Sequence, residues 1–509
     1  MKQMKYLLGI YFILLVGCAE SLEETYDDYA GDGKIRYVGK CSDMSIMSGW
    51  RRLQVNWKNS TDAMIDKIKV SWEASDVRHD TLLASDATSC EINNLMDAIY
   101  RIDIKAVDVN GKESLAITDY ARPYTYDHEA VRSFSRVISK YYYLADNLVF
   151  FVDNWNDSIV EAKVRYTSSI SNKQEEFLLT KEEAEKGLFC LRNVDCQKPI
   201  TVARKGRIEG CSDLIEFADY NLSNERIYSS DFKLVVQNRY GLKNENEEQK
   251  RIFDHFVDTV RVLEFDYDIT SFEDLLYCSK LEKLICGKNR YLSLQNPNKV
   301  DRSVCANEER SLACLDLLNE LKGLQVERYN EHYFKQSRPY IIEMGNPVLP
   351  NLNYLAANEI TSIENLGMTE DTEDAKELGN LLDNNPTTWW EPSVATSPRT
   401  HEILLTLQSP QIIKGIKVVQ RLYRPTSSSQ KYYVSDKIVI EVSADNVTWE
   451  PLSYVRENEI GIGSGESTLI PMIKSKPIKY VKATLSDKMH GSSSNLNFNM
   501  TLSGLILYR

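Results

Sequence analysis

The sequence predicts a mainly β protein of several domains, interrupted by one short α/β segment. Three observations carry this reading. From Gly33 to about Arg122, apolar and polar residues alternate between turn signals with no helical stretch. From Val260 a spaced set of apolar residues recurs after 21 residues. From about Asn346 to Arg509 the alternation returns in a second all-strand region. At 509 residues the chain has room for three or four domains, at about 150 residues each. Its net charge of −13, from 74 acidic against 61 basic residues, disfavours nucleic acid as a partner, because phosphates demand basic stripes. A neutral polar ligand is not penalised.

The first element, residues 1–17, reads as a secretion signal. Met1-Lys2-Gln3-Met4-Lys5 is a short basic start and Tyr6 to Val16 an apolar core. That core falls short of the roughly 20 residues a membrane span needs. Leu15-Val16-Gly17-Cys18 resembles the bacterial lipobox, which implies lipidation of Cys18 and a stable anchor, since each buried methylene contributes about 0.8 kcal/mol. Residues 18–32 form an acidic tether, Ala19-Glu20-Ser21-Leu22-Glu23-Glu24 and then Tyr26-Asp27-Asp28. Such a cluster directs some bacterial lipoproteins to the outer face of the cell, so an outer-membrane, surface-exposed location is expected. A plain solvated linker is the alternative.

Residues 33–125 are expected to form a fibronectin-like β-sandwich. Leu53, Val55 and Trp57 share one face of a strand, Ile68-Lys69-Val70-Ser71-Trp72 repeats the pattern, and Asp108-Val109-Asn110-Gly111-Lys112 closes a hairpin. Gly33-Lys34-Ile35-Arg36-Tyr37-Val38-Gly39-Lys40, Gly49-Trp50-Arg51-Arg52-Leu53 and Ala106-Val107-Asp108-Val109-Asn110-Gly111 resemble domain-of-unknown-function family 4998, with Lys34 where an acidic residue is usual. The resemblance implies a spacer and assigns no chemistry. A second sandwich is expected over residues 126–230, with strands at Leu148–Val152 and Glu161–Tyr166.

Residues 231–340 carry the α/β segment. A helix is expected over Asn244–Val260, its apolar face made by Ile252, Phe253, Phe256, Val257 and Val260. Val260-x-x-Leu263-x-Phe265-x-x-Asp268 then recurs as Leu281-x-x-Leu284-x-Cys286-x-x-Asn289, with a third copy at Leu321-x-x-Leu324-x-Val326. This resembles the leucine-rich repeat, with Asp or Asn capping each turn and Cys286 in the core. Unrelated strands of an α/β domain are the alternative. Apart from Cys18 there are nine cysteines, an odd number, and no Cys-x-x-Cys pair. Cys190 with Cys196, or Cys196 with Cys211, are candidate bridges; buried thiols are the other reading.

Residues 341–509 bear the functional motifs. Leu382-Asp383-Asn384-Asn385-Pro386-Thr387-Thr388-Trp389-Trp390 resembles the Asp-Gly-Asn-x-x-Thr-x-Trp signature of the discoidin, or coagulation factor 5/8 type C, domain. Ser443-Ala444-Asp445-Asn446-Val447-Thr448-Trp449 is similar to that family's second landmark. The resemblance implies an eight-stranded jelly roll of the family 32 carbohydrate-binding-module type, with binding loops at one end and with Trp390 and Trp449 in its core. It also implies a structural calcium, held by Asp383, Asn385 and Thr388; calcium wants six to eight oxygens. Gly504 stands where the family usually has Glu, which takes a carboxylate from that set.

For glycan binding, an aromatic face must stack on a sugar ring while a few polar groups meet its hydroxyls. The Arg421–Tyr433 loop and the polar Met489–Asn495 loop offer both, so Tyr423, Arg424, Tyr432, Trp389 and His490 are the candidate residues. No HExxH, GxSxG or P-loop is present, and Gly461–Gly465 reads as a flexible turn. The expected protein is a non-catalytic glycan binder serving surface glycan-utilisation proteins; a protein-binding adhesin is the alternative. Replacing Cys18 by Ala is expected to abolish incorporation of labelled palmitate and release the protein from the membrane fraction.

Overall fold

The computed structural model describes residues 37–509 except 133–135, 153–154, 291, 293–301, 367–373, 424–432 and 493–494. The signal, Cys18 and the acidic tether lie outside the described residues, as do Arg424 and Tyr432. Among the described residues no helix is long and apolar enough to cross a membrane. The fold is mainly β and divides into two compact units.

The first unit takes residues up to 139, then 152–187 and 197–222. Its N-terminal part is a β-sandwich of a three-stranded sheet, in the order Ser42–Gly49, Arg52–Lys58, Ser89–Ile92, and a four-stranded one, Val77–Ala84, Ile65–Ala74, Tyr100–Asp108, Ile117–Ala121. The alternation read from the sequence fills the space between them: Leu53, Val55, Trp57, Ile68, Val70, Ile102 and Ile104 are all buried. Asp108 closes its turn by accepting the amides of Asn110 and Lys112. A second four-stranded antiparallel sheet follows, Gln174–Leu179, Ile159–Thr167, Ile200–Gly206 and Ile215–Leu222. Asp213, just before the strand Ile215–Leu222, takes two bonds from the Arg52 guanidinium at 2.8 and 2.7 Å and one from the Trp50 amide at 2.7 Å. A bidentate Arg–carboxylate pair fixes direction as well as distance.

The second unit holds residues 140–151, 188–196 and 223–509. A small antiparallel sheet of Leu188–Leu191, Asn147–Phe151 and Lys140–Leu144 shares its core with the α/β segment, through Tyr142, Leu144, Val149 and Phe151. The segment itself is a parallel ladder, Val262–Phe265, Lys283–Cys286, Gln325–Tyr329 and Ile341–Gly345. Val262 pairs with Lys283 and Leu263 with Leu284, the 21-residue step of the sequence pattern. Asn289 caps the turn by donating to Asp266, and Cys286 is buried, its thiol pushed well up by desolvation.

Two expectations change here. The third copy sits in a different register, with Leu284 paired to Val326 and Cys286 to Arg328. Leu321 belongs to the helix Glu308–Lys322, which ends on the left-handed Gly323. Arg328 therefore fills a core position and survives there by bonding Glu343 and the Phe334 carbonyl. The predicted helix runs from Glu247 to Thr259 with Phe253 and Val257 buried, whereas Ile252 is 51% exposed. All nine described cysteines are free thiols.

Residues 354–509 form the jelly roll. Its main sheet runs Ile360–Asn365, Thr400–Val419, Ser467–Ser486, Lys437–Ser443, Glu450–Pro451, with Glu457–Glu459 and Gly504–Tyr508 paired alongside. Two short hairpin-like pairs, Asp374–Lys376 with Glu391–Pro392 and Lys488–Ser492 with Asn495–Asn499, complete it. Trp390, Ile403, Leu405, Ile440, Val481 and Leu502 are wholly buried. Trp449 is not: it is half-buried beside the edge strand Glu450–Pro451, with the Lys482 ammonium 4.7 Å from its ring. An edge strand lacks the second neighbour that would cover a large ring.

The jelly roll meets the α/β segment through a buried ion pair. Arg290 Nε donates to Glu466 Oε1 at 2.9 Å, with side-chain exposures of 7% and 1%. Leu292 pairs with Ser467 beside it, and the Tyr267 hydroxyl donates to the Glu459 carbonyl. Arg290→Met is expected to destabilise this unit by about 3–5 kcal/mol, since it strands a buried carboxylate. R290M/E466Q should recover part of that loss, as read by denaturant unfolding.

Candidate functional site

Trp389 and Trp390 are neighbours with opposite fates. Trp390 exchanges backbone hydrogen bonds with Leu502 and points into the core. Strand periodicity then turns Trp389 outward, where it is half-buried. Its indole is held, not loose. Nε1 donates to Glu391 Oε2 at 2.9 Å, the Arg421 guanidinium lies 4.1 Å from the ring centroid, and the Lys376 ammonium lies 5.6 Å away.

From Glu391 the network continues across the hairpin. Glu391 Oε1 accepts Asn499 Nδ2 at 3.1 Å, and Asn499 Oδ1 lies 2.8 Å from His490 Nε2. The His490 ring packs edge-on against Tyr433, with centroids 4.2 Å apart. Tyr433 is fixed through its carbonyl, which accepts the Thr501 amide. Arg421 sits 3.8 Å from Glu391 and is largely buried, which lowers its guanidinium from the ordinary value while Glu391 works the other way. Its Nε has no hydrogen-bond partner among the described residues. One end of the jelly roll thus carries two aromatic rings, two cations, a carboxylate, an amide and an imidazole in one connected set.

Of the residues expected at a site, Trp389 and His490 belong to this network. Tyr423 does not. It is 8% exposed and its hydroxyl donates to the Ile462 carbonyl at 2.8 Å, so it cannot lie against a ligand. It serves instead to seat the 461–466 turn. That turn is held, contrary to the flexibility expected of its glycines: Gly463 N donates to Glu466 Oε2 and Gly461 N to Thr468 Oγ1. A Cβ on Gly461 would meet the Glu466 carboxyl carbon at 1.9 Å, so glycine is there for close approach. In the polar stretch that follows, Lys488–Ser492 pairs as a strand with Asn495–Asn499.

Glu391, Arg421, Tyr433 and Asn499 were missed as site residues. Glu391 lies two residues past Trp389, so same-face spacing was a usable signal. Arg421 and Tyr433 flank the loop already singled out. Nothing in the sequence points to Asn499. A buried His401–Asp487 pair, 2.8 Å apart, resembles acid–base machinery, but both side chains are at most 1% exposed and Arg399 binds the same carboxylate. It braces Trp390, whose ring meets His401 edge-on. A groove of about 310 Å³ lined by Glu225, Arg226, Lys233 and Lys250 shares no residue with the network.

The expected calcium ligands bond one another within the loop. Asp383 spends Oδ1 on the Asn385 amide and Oδ2 on the Thr388 hydroxyl, and Asn385 Oδ1 accepts from Thr387. The carbonyl of Pro386, in the same loop, accepts the Leu422 amide.

The family DUF4998, a domain of unknown function, matches residues 18–193. The match covers the first sandwich and runs on to the strand that ends at Leu191. No curated protein matches the chain. Among solved structures it is similar to CBM32-3 from a family 31 glycoside hydrolase of Clostridium perfringens, at 16% identity and a TM-score of 0.23, over 30% of this chain and 94% of that one. A fragment of a putative chitobiase from Bacteroides thetaiotaomicron gives 13%, 0.24, 31% and 93% in the same order. A two-domain fibronectin type III segment of chicken tenascin gives 12%, 0.19, 36% and 100%. At these scores the likenesses carry no weight for what this chain does.

Tyr423→Phe is expected to cost about 1 kcal/mol, because the Ile462 carbonyl loses its partner in a buried turn. Denaturant unfolding reads the difference.

Proposed function

We propose that this protein is a non-catalytic lipoprotein of the bacterial cell surface that binds glycan at the Trp389 end of its jelly roll. The observation that carries the reading is the connected network Arg421–Trp389–Glu391–Asn499–His490–Tyr433. A sugar presents apolar C–H faces and a ring of hydroxyls. A half-buried indole offers a stacking surface, and fixed polar groups beside it supply donors and acceptors. Because Trp389 is tied by Glu391 and Arg421, little rotamer freedom is lost on binding, which favours affinity from a small contact. Lipidation at Cys18 would place the domain outside the cell. Display of many copies there raises capture through avidity even where one site is weak, and the captured polymer would pass to partner enzymes and transporters.

A glycan array screened with the full chain tests this. Binding to a defined glycan class is expected, with Trp389→Ala weakening it at least about tenfold, the value of roughly 1.4 kcal/mol. His490→Ala should weaken it less, and Tyr423→Phe should leave it unchanged. Silence across the array from folded protein would sink the glycan reading and bring forward the protein-binding adhesin.

A further inference from the structure

Lys417 is the least expected side chain in the jelly roll. It lies in the strand Thr400–Val419, is 3% exposed, and among the described residues has no carboxylate within ion-pair distance. Its ammonium donates to Asn384 Oδ1 and lies 4.4 Å from the centroid of the Tyr354 ring. A buried ammonium is costly unless something holds its charge, so its place needs a reason.

The reason lies in the loop it bonds. Asn384 sits between Asp383 and Asn385, at the position where the discoidin signature has Gly, and adopts the left-handed φ of 56°. Asn tolerates that conformation, and unlike Gly it brings an acceptor. On the other side, Gly504 pairs with Val419, and a Cβ there would approach Val419 Cγ2 to 3.0 Å. A glutamate at 504 thus has no room unless Val419 moves. Lys417 is two residues from Val419 along the same strand and so shares its face. Three residues agree with one another: a lysine reaches the loop, an asparagine receives it, and a glycine removes the carboxylate that a metal would use.

We infer that the Lys417 ammonium stands in for a calcium ion, as a cation tethered to the sheet that holds the Asp383–Trp390 loop. A divalent ion brought to the same loop would meet a positive charge already there. Trp389 closes this loop, so the lysine positions the candidate stacking residue without any metal. The inference does not depend on what the site binds.

The test uses the full chain and hydrogen exchange with mass spectrometry over residues 383–390, in calcium and in EDTA. Wild type should exchange identically in both, and calorimetric titration with calcium chloride should give no binding heat. Lys417→Met should speed exchange of the Asn385, Thr387 and Thr388 amides by about fivefold, the effect of losing one hydrogen bond of ordinary strength. Asn384→Gly, at an exposed position that does not threaten folding, should do the same. Calcium-dependent protection of the wild-type loop would overturn the inference. So would unchanged exchange in Asn384→Gly.

Discussion

The carboxylate of Glu466 is the constraint on which the second unit depends. Buried to 1%, it cannot remain charged without partners, and those it has come from different parts of the chain. Arg290 reaches it from the turn after the ladder strand Lys283–Cys286, and the Gly463 amide reaches it from its own turn. The backbone at Glu466 accepts the Gln420 amide, so the same residue anchors the end of the long strand that leads to Arg421. Through one residue, by its carboxylate and its carbonyl, the α/β segment, the 461–466 turn and the base of the candidate site are placed together. Glycine at 461 and the inward hydroxyl of Tyr423 are consequences of that packing.

At the site itself, the decisive fact is that two adjacent tryptophans point opposite ways. Trp390 supplies apolar burial for the core, and its hydrogen bonds with Leu502 set the orientation of the strand. Trp389 then has to face outward, and Glu391, two residues on, falls on its side. The other members arrive from the strand Asn495–Asn499, from the hairpin partner carrying His490 and from the two ends of the 421–433 loop. Cations over an aromatic ring are worth more where water is partly excluded, which suits Arg421, with a side chain only 12% exposed.

Legibility followed the range of the interaction. The 21-residue repeat foretold the parallel ladder from Val262 to Cys286, because each strand must put Leu at one inward slot and Phe or Cys at the next. It failed at the third copy, where Leu321 matched the spacing but belongs to a helix that Gly323 stops. Spacing cannot tell an inward helical leucine from an inward strand leucine when a helix runs straight into a strand. Trp390 was readable as core and Trp449 was not, because an edge position is a property of sheet order. Tyr423 looked like a binding residue for its type and its loop; its burial came from a turn some 40 residues away.

By itself the sequence determined the mainly β class, the sandwich faces around Leu53, Val55 and Trp57, the existence of the repeat, and the Trp389–Trp390 landmark. The first three rest on local periodicity, where a side chain's face follows from its position in the strand, and the landmark rests on resemblance to the discoidin signature. Only the tertiary structure decided that Lys417 meets Asn384, that Arg290 meets Glu466, and that Trp389 shares a network with Asn499 and His490. Those pairings join residues 33, 176 and about 100 positions apart. Burial makes them selective, because a charge or amide removed from water must find a partner, and only the folded backbone sets which one is in reach.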